Sequence, residues 1–315
     1  MAKRRTSRTI YVPGGVSSFF EICDQDSVGN PISDLLRVGA RGGGFIIERG
    51  SRTVVSALEG GKEDSVFING VRVRNASTTL RVVRLMRRKY GFGPVSISHN
   101  IAPPIGAGFG TSGSGALGTA AAVSDVFDLK LPLSKITAFA HTAEILSITG
   151  LGTVISLASG AGGLGLVTEP GCYSIGKVDA IVDNYSNYSL ICVTFGSIEK
   201  SSVLKDEQKR RMVNKFGRTT LQRVLRDPTA KTLLHESRQF AEKTGLASKD
   251  LLKLADQAVR RGAIGATQNM IGNAVHCLAL REDEKKILKW LHDLVPCQLI
   301  FRTPLYQGGV KVLDD

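Results

Sequence analysis

The sequence predicts an α+β fold in two domains, and three observations predict it. Beyond about Gly171 two strands are followed by three basic amphipathic helices, and strands and helices segregated in this way stack as α+β layers. The 315 residues are enough for one large or two ordinary domains, each with a real core. A glycine-rich stretch from Pro103 to Ala122 runs into a helix and organises the first half. The boundary falls between 171 and 178. This divides the chain into 1–172, a mixed β-sheet with helices and the glycine loop, and 173–315, built of α/β layers.

In order, Thr9 to Val12 reads as a short strand ending at Pro13-Gly14-Gly15, and VSSFFEIC resumes an extended pattern. A polar loop follows from Asp24 to Pro31, then a glycine cluster, Gly39-Ala40-Arg41-Gly42-Gly43-Gly44. That cluster is either a wide turn before the strand FIIE or a surface for close approach, with Arg41 as an anion hook. Strands are expected at Phe45 to Glu48, Thr53 to Leu58 and Val66 to Ile68, the last returning through an Asn69-Gly70 hairpin. Ala76 to Tyr90 is a basic helix with a solvated face, and Val95 to Ser98 is the strand before the loop. Ser134 caps the next helix, which stops at Gly150. A short helix, a glycine turn and a strand lead to Pro170. Strands at 178–182 and 190–195 precede helices over 206–226, 229–244 and 249–261. A helix over 282–294 and a strand over 298–302 close the chain.

Pro103 to Ala122 reads PPIGAGFGTSGSGALGTAAA. Glycine lets the backbone approach a ligand closely, and small hydroxyl residues cap a helix whose first N–H groups lack internal partners. Such an arrangement binds phosphate, because free donors and the helix dipole both favour an anion. The alternative is a close-packed turn without a ligand. No Gly-Lys-Ser/Thr follows, so it is not a P-loop. Gly108, Gly110 and Gly113 match G-x-G-x-x-G, but Pro103 and Pro104 interrupt the strand that a dinucleotide fold requires, and no second strand carries the acidic residue.

His141 and Glu144, at i,i+3, share a helix face. A carboxylate beside a nucleotide loop is suited to hold Mg²⁺ against phosphates. The net charge of +13 comes largely from Lys3, Arg4, Arg5 and Arg8, from Arg81 to Lys89, and from Lys205 to Arg226. It steers anionic ligands such as ATP or an acidic metabolite. Aromatic content of 6% without basic–aromatic interleaving disfavours nucleic acid. No apolar run approaches the roughly eighteen residues of a membrane span, and no apolar stretch follows the basic start as in a secretory signal. Five scattered cysteines without C-x-x-C read as reduced thiols of a cytoplasmic protein.

The pattern P-x-x-x-G-x-G-[ST]-S, from Pro104 to Ser112, resembles the ATP loop of the GHMP kinases. Together with VPGGVSSFFEI, GARGGG, AHTAEILSITGLGTV, EPG and NMIGNAVH, it makes nearly the whole chain resemble the archaeal pantoate kinases of that superfamily. The resemblance implies a two-domain fold with ATP and Mg²⁺ in the cleft and phosphoryl transfer to the 4-hydroxyl of pantoate, on the route to coenzyme A. Pro104, Gly106, Gly108, Gly110, Thr111, Ser112, Gly113 and Ser114 would form the ATP loop. Ser112 and Glu144 would serve Mg²⁺, and Thr153 would stand at the catalytic-base position. His141, Arg41, Gly42 and Ser18 would face the substrate.

The chain departs from the family pattern in several places. Thr153 stands where the family has an aspartate, Ala40 where it has a serine and Val167 where it has a basic residue, and VPGG replaces VPGH. Two further readings stay open beside the pantoate kinase. One is a catalytically weak protein of this fold binding nucleotide or an anionic partner. The other is a kinase for another small hydroxy acid. The oligomeric state is left open, a homodimer included.

Overall fold

The computed structural model of the chain describes residues 6–61, 63–196, 203 and 206–313. Lys3, Arg4, Arg5 and Lys205, counted in the basic segments above, lie outside them. The described strands form two sheets, and helices cover both, so the α+β expectation holds.

The first sheet has the order β12-β1-β2-β5-β3-β4, with β6 paired to β2 and β7 paired to β6. Its centre is the antiparallel pair β1 (Thr9–Cys23) and β2 (Gly39–Ala57). Each was expected as two shorter elements broken at glycines. Instead β1 runs through Pro13 to Gly15 by bulging between Val12 and Gly14, and bulges again between Ser17 and Phe19. Bulges bend the strand and re-aim side chains without ending the ladder. The cluster at 39–44 is likewise strand and not a wide turn. A Cβ on Gly44 would stand 2.0 Å from the Val16 carbonyl oxygen, so β1 comes closer there than any side chain permits.

β3 (Ser65–Ile68) and β4 (Val71–Arg72) form the expected hairpin, with Asn69 and Gly70 both at positive φ. β5 (Val95–Ile101) pairs with the second half of β2, and β6 (Leu164–Glu169) with its glycine-rich first half. β7 (Lys177–Ala180) pairs with β6, and β12 (Lys311–Leu313), not foreseen, returns to the first strand. α1 (Ser77–Tyr90), α2 (Thr111–Val126), α3 (Leu133–Ser147) and α4 (Thr153–Ser159) cover one face. Val12, Ile46, Val55, Val82, Met86, Leu117, Val123 and Leu157 are fully or nearly buried in that layer.

The second sheet has the order β11-β8-β10-β9, formed by β8 (Tyr188–Thr194), β9 (Gly265–Gln268), β10 (Ala274–Leu280) and β11 (Ile300–Thr303). It is covered by α5 (Glu207–Arg226), α6 (Ala230–Lys243), α7 (Lys249–Arg260) and α8 (Glu284–Leu294). Asp206, Thr229 and Ser248 cap the first three of these by accepting from the backbone N–H three residues on. Val16, Phe19 and Phe45 of the first sheet share one apolar cluster with Cys192, Leu221, Phe240 and Leu278. That shared cluster fixes the cleft between the layers. Among the described residues no helix is long and apolar enough to cross a membrane.

Candidate functional site

The glycine loop connects β5 to α2. Gly110 is the helix N-cap, with left-handed backbone (φ 64°), and no side chain caps the helix. This corrects the expectation of a hydroxyl cap. Ser114 Oγ donates to the Thr111 carbonyl, and Ser112 Oγ donates to Glu144 and more distantly to the Thr149 carbonyl. With glycine at the N-cap and these hydroxyls turned elsewhere, the start of α2 is not capped by its own N-cap side chain and is suited to an anion. Ser134 likewise does not cap α3. The N-cap there is Pro132, and α3 begins at Leu133.

Glu144 lies on α3 and is 2% exposed. Its Oε1 accepts from Ser112 Oγ at 2.7 Å. Both carboxylate oxygens come within 2.8 Å of where a Cβ on Gly150 would stand, so the loop after α3 closes tightly over the acid. Thr153 opens α4. Its Cγ2 lies 2.8 Å from the Cβ positions that side chains on Gly110 and Gly113 would have. Loop, acid and threonine therefore converge at the start of α2.

A cavity of about 120 Å³ adjoins this point. It is lined by Val16, Phe19, Leu151, Val167, Met270 and Ile271 on its apolar side and by Ser17, Gly42, Thr153 and Ser156 among others. Arg41 is the charged side chain in that lining. Arg41 Nε and Nη2 both contact Glu21 Oε2, at 3.0 and 2.7 Å, while Arg218 of α5 takes Glu21 Oε1 at 3.0 Å. The Glu21 side chain is 3% exposed. A buried carboxylate held by two guanidiniums leaves the cluster with net positive charge at the cleft wall. Gly42 pairs across the sheet with Val167, so Arg41 adjoins the position where the resemblance expected a basic residue.

Two expected substrate contacts are corrected. His141 is 2% exposed, and its Nε2 stands 3.0 and 3.2 Å from the carbonyls of Val38 and Leu35. Burial holds its pKa below the ordinary value, so the neutral ring donates from Nε2 and pins the segment entering β2. Ser18 is the residue skipped by the second bulge of β1. It is fully buried, and its hydroxyl pairs with His276 Nε2 at 2.9 Å. Its neighbour Ser17 faces the cleft instead. Ser17 and Ser18 alternate faces as in a regular strand, and the register slips only after them, where Phe19 is buried beside Ser18. Glu21, Met270 and Ile271 were not foreseen either.

Among the described residues no group of three or more His, Cys, Asp or Glu could form a metal cage. One carboxylate and one hydroxyl, 2.7 Å apart beside a helix start suited to an anion, are hard oxygen donors. They suit a cation that completes its shell with phosphate and water oxygens.

The model of the GHMP kinases N terminal domain matches residues 77–160, from α1 through the loop to α4. The chain is 27% identical to a pantoate kinase of Methanocaldococcus jannaschii over 293 residues, covering 93% of this chain and 100% of the relative. It is 28% identical to a pantoate kinase of Thermococcus kodakarensis, over 90% and 91% of the two chains. A solved phosphotransferase related to the CoA biosynthesis pathway superposes with a TM-score of 0.84 at 26% identity, over 96% and 97%. A structure described as MDDEF in complex with MVAPP, AMPPCP and magnesium shares the fold, at TM-score 0.76 and 12% identity over 99% and 100%. Residues 77–160 thus match the GHMP kinases N terminal domain, and over nearly its whole length the chain is similar to the archaeal pantoate kinases.

Proposed function

We infer that the protein is an ATP-dependent kinase that phosphorylates the 4-hydroxyl of pantoate, giving 4-phosphopantoate for coenzyme A biosynthesis. The observation that carries the reading is a convergence. The helix start that can bind phosphate, the Ser112–Glu144 pair and a small apolar cleft walled by Arg41 meet at Thr153. Pantoate is a branched apolar hydroxy acid with one carboxylate, and the cleft offers apolar walls and one cationic cluster.

In this reading Gly106, Gly108, Gly110 and the first N–H groups of α2 hold the β- and γ-phosphates. Ser112 and Glu144 would hold Mg²⁺, which supplies neutralisation of the phosphate charge when bound. Arg41, buttressed by Glu21 and Arg218, takes the acceptor's carboxylate, and Val16, Phe19 and Val167 exclude water around its methyl groups. Thr153 offers a hydroxyl with no basic character at neutral pH. The chain therefore relies on positioning and charge stabilisation, on which phosphoryl transfer largely depends. A soluble cytoplasmic setting fits the reduced cysteines, all free among the described residues.

The test is turnover of ATP with Mg²⁺ against pantoate, homoserine, mevalonate and shikimate, with the phosphorylated product identified by mass. Consumption confined to an acid other than pantoate would replace the substrate assignment. Val167 and Ala40 favour keeping that second reading in the panel, since both depart from the family pattern at the cleft wall.

A further inference from the structure

Segment 269–276 lies outside the nucleotide loop, yet it is tied to it. Asn269, in the turn after β9, sends Nδ2 to the Ala107 carbonyl at 3.3 Å. Its Oδ1 stands 2.9 Å from His276 Nδ1, and His276 Nε2 stands 2.9 Å from Ser18 Oγ. Ser18, Asn269 and His276 each have 0% exposure. Because the Asn269 amide nitrogen is used on Ala107, its oxygen must accept, so His276 carries its proton on Nδ1. Nε2 is then a lone pair, and Ser18 must donate to it. Burial keeps the ring neutral, with its pKa pulled down to about 3. Every donor and acceptor along the chain thus has one direction, ending on the carbonyl between Gly106 and Gly108.

The backbone around this chain is equally close. A Cβ on Gly272 would stand 2.4 Å from Ala107, and one on Gly108 would stand 2.8 Å from Asn269 Cβ. Met270 N–H donates to the Ser17 carbonyl at 2.8 Å, beside the cleft. The Phe45 ring packs edge-on against His276, 5.5 Å between centroids. The Ser-His-Asn order resembles a hydrolytic triad, but complete burial denies it a substrate.

We propose that Ser18, His276 and Asn269 are positioning residues that clamp the nucleotide loop to the second sheet through the Ala107 carbonyl, presetting the loop for phosphate. A loop already held in its binding shape loses less freedom when the ligand arrives, so affinity rises. Ser18 sits at the second bulge of β1 and points inward, while its neighbour Ser17 lines the cleft. The proposal rests on the nucleotide reading of the loop.

Two readouts on the whole protein separate the clamp from that reading. The first is amide hydrogen exchange of the 105–110 segment without nucleotide, compared with β10 and α2. The second is ATP affinity by calorimetry with Mg²⁺ present. Asn269→Leu, close to isosteric, removes both bonds of the amide. The proposal expects faster exchange confined to the loop and an ATP Kd raised about tenfold, the scale of one lost buried hydrogen bond. Pantoate KM should move much less. Ser18→Ala, which leaves the Asn269–Ala107 bond in place, should shift both readouts in the same direction by less, and serves if the leucine variant does not fold. Unchanged loop exchange in both variants overturns the clamp, even if thermal stability falls. Faster loop exchange with unchanged ATP affinity overturns the presetting of the loop for phosphate, whereas absence of ATP binding by the wild-type protein overturns the nucleotide reading itself.

Discussion

Ser112 Oγ donates to Glu144 Oε1 at 2.7 Å, joining the first turn of α2 to the buried face of α3. The hydroxyl spent on this bond does not cap its own helix, and the acid is held where the helix start can receive phosphate. Changing Glu144 to Gln keeps shape and a hydrogen-bond acceptor while removing the charge suited to a cation. The expected result is a fall in kcat of about a hundredfold or more, several kcal/mol of lost transition-state stabilisation. Circular dichroism should be unchanged. Wild-type kcat at saturating Mg²⁺ would remove Glu144 from the phosphate site.

Arg41 and Arg218 share the Glu21 carboxylate, but only Arg41 lines the cleft. Arg41→Gln should raise the KM for pantoate by roughly tenfold to a hundredfold, the scale of a charge-assisted hydrogen bond. The KM for ATP should stay near wild type. Arg218→Gln leaves Glu21 with one partner and should lower stability more than it moves the KM for pantoate. Equal effects on that KM from the two variants would argue against a carboxylate subsite at Arg41.

The glycine loop, the Asn69-Gly70 hairpin and the amphipathic helices were legible because each is written in neighbouring residues. Glycine density, hydroxyl spacing and helical period are local signals. Ser18 and His276 are 258 residues apart, and Glu21 and Arg218 are 197 apart. Pairings of that span arise only when two sheets and their helices close on one core, and no local pattern encodes them. The bulges in β1 compound the difficulty, since a residue skipped in the ladder leaves no mark in the local sequence. The expectation for His141 failed for a related reason. A shared helix face with Glu144 says nothing about the carbonyls of Leu35 and Val38 that the fold brings against it.

His276 and His99 are buried and neutral, with pKa values pulled down by desolvation to about 3 and about 4. Thr53 and Thr79 bracket His99 as Ser18 and Asn269 bracket His276. Both folded values lie below the unfolded value near 6.5. The unfolded chain therefore takes up protons first as pH falls, and stability present above about pH 6.5 is lost towards pH 4. The two rings together should steepen the loss to roughly 3 kcal/mol per pH unit below about pH 6. Urea unfolding at pH 7.5, 6.0 and 5.0 measures the slope. A flat profile between pH 6.0 and 5.0 would mean that these rings charge without unfolding.

Thr153 bears on whether a base is needed at all. Its methyl packs against the loop at Gly110 and Gly113, and Glu144 Oε2 lies 3.2 Å from the same Cβ position on Gly113. Thr153→Asp restores the acid of the family pattern in the first turn of α4, where a negative charge is worth about 0.3–1 kcal/mol to the helix. The fold should therefore survive. The new carboxylate would also stand close to Glu144, and neighbouring like charges raise each other's pKa and repel. A chain tuned to work by positioning should gain nothing, with kcat/KM for pantoate equal to or below wild type. A chain that has lost its base should gain about tenfold or more, the scale of general base catalysis. We expect no gain, because the threonine methyl is part of the surface that shapes the loop. A large rise in kcat/KM with unchanged ATP affinity would instead identify Thr153 as the lesion in a weakened kinase.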